Sequence, residues 1–146
     1  MFYGTFEHAL DDKNRLMVPA RLREEVPASE GGVFYVTQGL DRCLYAYTKT
    51  GWSETSAKMQ QARDGNPNAR NLRRIFFSSA LRQELDAQGR LLLPDPLRAR
   101  AGLRKDVVLV GVSDHIELWD KARWVRFMQG NQDKYEKFAE SAELFG

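Results

Sequence analysis

The chain has one cysteine, two histidines, no long apolar run and a net charge of only +2, and each scarcity removes a class of function. A single thiol, Cys43, cannot close an internal disulfide and suits a reducing compartment. With no histidine following it nearby, Cys43 reads as a small buried apolar residue rather than a catalytic nucleophile. Apolar runs such as Leu91 to Leu93 and Val107 to Val110 fall far short of the roughly 20 residues a membrane-spanning helix needs. Met1 to Leu10 has no basic start followed by an apolar stretch, so no secretory leader is expected. His8 and His115 lack a Cys or Ser partner at a recognisable spacing. No glycine-rich phosphate loop or metal-ligand cluster is visible either. The expectation is a non-enzyme without metal, cofactor, membrane segment or small-molecule substrate.

Charge of one sign is also missing. Up to residue 75 there are 11 Lys+Arg against 9 Asp+Glu, and beyond it 11 against 11. One copy therefore lacks the field of a strong non-specific nucleic-acid binder. Any such binding has to come from local clustering, multiplied over several copies.

What the chain has is a repeat. His8 to Arg23 reads HALDDKNRLMVPARLR and Gln83 to Arg98 reads QELDAQGRLLLPDPLR, with seven of sixteen positions identical at an offset of seventy-five. Val33-Phe-Tyr-Val36 then answers Val107-Val-Leu-Val110, and Trp52 answers Trp124 after a two-residue deletion. On this alignment His8 lies opposite Gln83, and His115 opposite the Gly39–Leu40 turn. The period is too long for a solenoid unit, so the chain reads as two tandem copies of one small module.

Each copy predicts strand, strand, short helix, strand, strand. Thr5 to Leu10 and Leu16 to Val18 flank the turn Asp11-Asp12-Lys13-Asn14 and read as a hairpin; the second copy has Asp86-Ala87-Gln88-Gly89 there. Asn14 and Gly89 occupy the same place, and both enter the left-handed region at low cost. Pro19 and Pro94 open short helices over 20–25 and 95–101, ended by Pro27 and Gly102. A second hairpin follows in each copy, 33–37 with 44–47 and 107–112 with 116–119. About forty-five residues with one short helix cannot bury a core alone, so the copies are expected to complete each other. The division is a module at 5–47, linking helices at 48–75, a module at 76–119 and a C-terminal helix at 120–146. Gly130-Asn131 is expected to interrupt that helix, whose stripe of Trp124, Met128, Tyr135, Phe138 and Ala142 packs on the chain's own body or forms a subunit contact.

The candidate site is the repeated Asp-x-x-x-Arg turn: Asp11 with Arg15, and Asp86 with Arg90. A carboxylate there can accept the turn's N–H groups and orient the guanidinium, leaving its fork free for a phosphate or a guanine edge. Asp11, Asp86, Asn14 and Gly89 are thus turn-orienting residues, and Arg15 and Arg90 the principal contacts. Lys13 adds a charge at the first turn, where the second has Gln88. Arg21 and Arg23 extend the basic surface in copy one, and Arg98, Arg100, Arg104 and Lys105 in copy two. The bland alternative is a surface ion pair that fixes a turn and contributes under about 1 kcal/mol.

The strings LDDKNRLMVP, LDAQGRLLLP and SSALRQELD, with the hairpin endings CLYAY and IELW, resemble the MraZ family. That family is the doubled branch of the AbrB-type swapped-hairpin regulators. The likeness runs from Met1 to about Trp124, and little signature is visible beyond Gly130. It implies an α+β, mostly β fold, with two tandem swapped-hairpin modules sharing one pseudo-two-fold barrel core and helices flanking it. It also implies a cytoplasmic, nucleoid-associated bacterial repressor of the division and cell-wall gene cluster. Such a protein binds double-stranded DNA as a ring-like homo-oligomer, with the Asp-x-x-x-Arg turns on its DNA-binding face. Asn14 stands where the family usually has glycine. Subunit contact is expected at Trp52, Trp119, Trp124 and the terminal helix. An antitoxin-like or purely structural oligomer is the alternative reading, although the former usually carries one module and an acidic tail.

Overall fold

Strands form here where apolar residues recur at every second position, so that one face can be buried. In the computed structural model, which describes residues 1–145, β3 (Val33–Gln38) and β4 (Leu44–Tyr47) send Phe34, Val36, Leu44 and Ala46 into the core. β7 (Asp106–Val112) and β8 (His115–Asp120) send in Val107, Leu109, Ile116 and Leu118. Gly146, the last residue of the expected C-terminal helical segment, lies outside the described residues.

With β1 (Thr5–Ala9) and β5 (Leu81–Glu84) these strands make one antiparallel sheet in the order β1-β7-β8-β4-β3-β5. Exchanging each strand for its counterpart in the other copy reads that order backwards. The sheet therefore has an approximate two-fold at the β4–β8 seam, where Tyr45 faces Glu117. The copies are interleaved: β1 of the first pairs with β7 of the second, and β5 of the second with β3 of the first. One apolar cluster runs through both halves, from Phe2 to Leu118.

The expected hairpin between the first two strands of each copy is not what forms. Asp11 N–H donates to the Arg15 carbonyl at 3.0 Å and closes the turn, but the flanking strands then part. β2 (Arg15–Met17) pairs instead with β6 (Arg90–Leu92), placing Leu16 opposite Leu91 in a separate two-stranded sheet. The reason is burial: a three-residue strand has one inward side chain, and only the sister copy offers a matching one. The core thus lies between two sheets rather than inside one closed ladder.

Helices frame this centre. α1 (Ala20–Arg23) stops short of the expected Glu25, whereas α4 (Asp95–Ala101) fills its expected span and ends at Gly102, whose φ is 60°. α2 (Lys49–Gln60) is capped by Thr48 Oγ1, which accepts the Gly51 N–H, while the buried Glu30 carboxylate accepts the Thr50 N–H at 2.7 Å. α3 (Pro67–Ser78) is capped by Asn66. α5 (Lys121–Asn131) and α6 (Tyr135–Ala142) are separated by a short 3₁₀ turn just after the Gly130-Asn131 pair. Helix accounts for 41% of the chain and strand for 28%, because most helical residues lie in the linking and C-terminal segments while the strands build the core.

Two expectations about side chains change. The tryptophans are engaged within the chain: Trp52 stacks on Tyr35 and Phe76, and Trp124 packs on Trp119 and Phe127. Apolar surface is left instead at Leu72 and Ile75 on α3 and at Tyr135 and Phe138 on α6. His115 falls opposite Cys43 rather than the Gly39–Leu40 turn. The two-residue deletion lies inside the second hairpin's tighter turn, so the seam pairs Leu44 with Leu118 and Ala46 with Ile116.

Leu16 and Leu91 are 0% and 1% exposed and face each other, so each leaves an unfilled cavity when truncated. Leu16→Ala and Leu91→Ala should each cost about 2–5 kcal/mol in denaturant unfolding. The double variant should deviate from additivity because the two sites touch. Equal, fully additive losses under about 1 kcal/mol would show that the ribbon does not hold the copies together.

Candidate nucleic-acid interface

Each Asp-x-x-x-Arg turn is built by its aspartate. One Asp11 carboxylate oxygen accepts the backbone N–H of Lys13 and of Arg15, both at 2.9 Å, and the other accepts Arg15 Nε at 2.7 Å. Asp86 repeats this with Gln88 N–H at 3.0 Å, Arg90 N–H at 2.9 Å and Arg90 Nε at 2.8 Å. The turns close because Asn14 and Gly89 take φ of 59° and 82°, the left-handed region that asparagine and glycine enter most easily. The two turns therefore share one shape despite their different residues.

Pairing of β2 with β6 sets the turns side by side. Leu16 and Leu91 point inward, so Arg15 and Arg90 project from the opposite face of the ribbon. Arg90 Nη1 lies 3.5 Å from the Asp11 carboxylate, and Arg15 Nη1 3.9 Å from that of Asp86. The result is a quartet in which two carboxylates separate two guanidinium groups. The turns are also tied crosswise through backbone: the Asn14 carbonyl accepts the Leu93 N–H, and the Gly89 carbonyl accepts the Val18 N–H, each at 3.0 Å.

Both carboxyls are held below the usual carboxylate range, first by the backbone N–H of Arg15 or Arg90 and further by the arginine side chains. They stay ionised at neutral pH and offset the repulsion between Arg15 and Arg90. Each arginine has Nε committed to its own aspartate, which leaves the terminal nitrogens as the groups that can face a ligand.

The other candidate residues divide. Lys13 is exposed at the tip of the first turn. Gln88 is exposed at the same place on the second, with its side-chain oxygen accepting from Arg90 Nη2 at 3.2 Å. Arg23 and Arg98 are drawn into the frame: Arg23 Nε donates to the Val18 carbonyl at 2.9 Å, and Arg98 Nε to the Leu93 carbonyl at 2.8 Å. Arg98 also pairs with Asp95. The Arg23 guanidinium rests so closely on Gly89 that a Cβ there would fall 2.9 Å from its Cζ. First-copy Arg23 thus braces the second-copy turn. The signal was legible, since both arginines follow the residue they cap by five positions at the repeat offset. Arg21 is exposed on α1 and lines a cleft with Glu24 and Glu25, apart from the quartet. Arg100 bonds Gln38 at 2.7 Å, and Arg104 and Lys105 lie against α5 beside Lys121 and Arg126.

Elsewhere the chemistry is quiet. Burial pushes the Cys43 thiol well above its ordinary value, which removes it as a nucleophile. Burial by itself would lower the His115 pKa, but bonds to Glu117 and Asp114 outweigh it and the net shift is upward. Among the described residues no group of three His, Cys, Asp or Glu is placed to hold a metal ion, and no helix is long and apolar enough to cross a membrane.

A family model described as "MraZ protein, putative antitoxin-like" matches residues 1–75 and again 76–145. The second match continues through α5 and α6, past the point where resemblance is visible by eye. The chain is 46% identical over 140 residues to the transcriptional regulator MraZ of Moorella thermoacetica, covering 96% of this chain and 95% of that one. It is 45% identical over 146 residues to the protein of that name from Desulfitobacterium hafniense, and 39% to that from Acetivibrio thermocellus. In both, the alignment takes in 100% of this chain and 99% of the other. An interleaved duplication, matched copy by copy and aligned with its relatives from end to end, places this chain in the MraZ family.

Proposed function

We propose that this MraZ-family transcriptional regulator grips double-stranded DNA through the paired turns, with Arg15 and Arg90 as principal contacts and Lys13 assisting. The observation that carries this reading is the quartet. Two half-buried guanidinium groups stand together on the outward face of one ribbon, each aimed by a carboxylate that its own turn keeps ionised. Isolated surface ion pairs do not need a duplicated frame, crosswise backbone bonds and bracing arginines to hold them. Asp11 and Asp86 act as positioning residues, because a carboxylate facing phosphate would repel it. Arg21 extends the basic surface, while Arg23 and Arg98 act mainly by bracing the turns.

The targets on this reading are repeated boxes upstream of the division and cell-wall gene cluster, including its own promoter, where binding represses transcription. A nearly neutral chain binds weakly through one quartet, so a ring-like homo-oligomer in the nucleoid supplies the avidity. The apolar residues exposed on α3 and α6 are the surfaces offered for self-assembly.

Light scattering should therefore give a mass several-fold above 16.8 kDa at micromolar concentration; a monomer rejects the assembly. Arg15→Ala and Arg90→Ala should each weaken binding to the chain's own upstream DNA by about 1–3 kcal/mol per engaged site, measured where circular dichroism shows each variant fully folded and with oligomer size unchanged. Parental affinity in both variants, measured by gel shift over several salt concentrations, would reduce the turns to a structural role.

Acid should dismantle the quartet. Because the folded Asp11 and Asp86 pKa values lie below their unfolded ones, their stabilisation is complete above about pH 5 and is lost as pH falls through the lowered values. Asp11→Asn and Asp86→Asn should melt below the parent at neutral pH and converge on it in acid. A difference in Tm that stays constant down to pH 2 would mean that the carboxylate charge is not what the turn uses.

A further inference from the structure

The two turns share a shape but not an outward chemistry, and the difference is concentrated at one position. Lys13 presents an exposed ammonium on a flexible stem, whereas the equally exposed Gln88 presents an amide whose oxygen accepts from Arg90 Nη2 at 3.2 Å. Arginine has only donors, so the Gln88 atom facing Arg90 Nη2 must be the oxygen. That fixes the amide orientation and turns its nitrogen the other way. One lone pair of the Gln88 oxygen remains beside that N–H. An acceptor and a donor side by side match the N6 and N7 edge of adenine in a major groove.

The arginines differ in the same sense. Arg90 is tied through Nε to Asp86, through Nη2 to Gln88, and lies 3.5 Å from Asp11 through Nη1. Arg15 is tied through Nε to Asp11 and has the looser 3.9 Å approach to Asp86, with no side chain at its first-turn neighbour accepting from its fork. A fixed amide suits recognition of one base, since a bidentate contact needs both atoms in place. A mobile ammonium suits a phosphate, which it meets as a point charge. Asp12, exposed beside Lys13, keeps that attraction short-ranged.

Resting on the DNA-binding reading above, we infer that the turns divide the work. The second turn reads an adenine edge through Gln88, positioned by Arg90, and the first turn holds the phosphate backbone through Lys13 and Arg15. Gln88 is then the residue that sets sequence preference, although it carries no charge.

The test uses the full-length protein, a duplex of the DNA upstream of its own gene, and a scrambled duplex of equal length and composition. Affinities are measured by fluorescence anisotropy over a salt series. Gln88→Ala should reduce the preference for the upstream duplex on the order of ten-fold or more while leaving the salt slope unchanged. Lys13→Ala should weaken both duplexes alike and lower the salt slope by about one per engaged turn. Gln88→Lys should lose the preference and raise the slope. Both residues are exposed and outside the core, so circular dichroism and Tm should match the parent in every variant. A Gln88→Ala protein that keeps its preference, or a Lys13→Ala protein that loses it selectively, overturns the division. Arg15→Ala separates the two levels. If it and Arg90→Ala both bind like the parent, the DNA-binding reading itself fails; if Arg15→Ala loses binding while Gln88→Ala keeps the preference, only the division of labour fails.

Discussion

The contact on which the molecule depends is the one between Leu16 and Leu91. Each belongs to a strand of three residues, too short to persist alone, and each is buried only because the other copy supplies the opposing side chain. That meeting fixes the register of β2 against β6, which sets how close the two turns lie and so whether Arg15 can approach Asp86. The larger sheet obeys the same rule at its edges, where β1 and β5 each add to a strand of the other copy. Neither copy can complete its own ladder, so interleaving is the arrangement that satisfies both the apolar faces and the backbone hydrogen bonds.

Electrostatics follows from this packing. Two guanidinium groups brought together repel, yet here they sit with a carboxylate between them and each Nε neutralised by its own aspartate. Each aspartate is itself held charged by N–H groups of a turn that only a positive φ at Asn14 or Gly89 can close. Backbone shape, carboxylate charge and guanidinium direction are thus one coupled unit. Arg23 and Arg98 stiffen it from outside by capping strand ends, which explains arginines in the repeat that do not project from the ribbon.

Much of this was legible because the repeat compares the chain with itself. Asp11 and Asp86, with Arg15 and Arg90, stood out by recurring, and the positive φ of Asn14 was readable from the glycine aligned with it. The second hairpin of each copy formed where it was expected, but the partners of the first two strands were not readable. Periodicity shows which face of Thr5 to Ala9 is apolar, but an exchange between copies preserves that pattern, so a local hairpin and a swapped one look alike in sequence. The bracing role of Arg23 was only half readable. The Val18 carbonyl it caps is five residues back in sequence, whereas the Gly89 it rests on belongs to the other copy. Nor could sequence say which neighbours the tryptophans would find within the chain, because aromatic size does not specify the partner.

Carrying both halves of a two-fold on one chain has a consequence that a dimer of identical modules would not share. A dimer presents the same turn twice, and its matched DNA site is a palindrome. Fusion frees the copies to diverge, and here they have diverged at the turn tips while the core residues Leu16 and Leu91 and the pairs Asp11–Arg15 and Asp86–Arg90 stay matched. If the turns contact DNA as proposed, a unit with Lys13 on one side and Gln88 on the other has a direction along the duplex. A unit with a direction is matched by DNA boxes that all point one way rather than by a palindrome. The deviation from symmetry at two exposed side chains, rather than the symmetric frame beneath them, then decides how the site must be laid out.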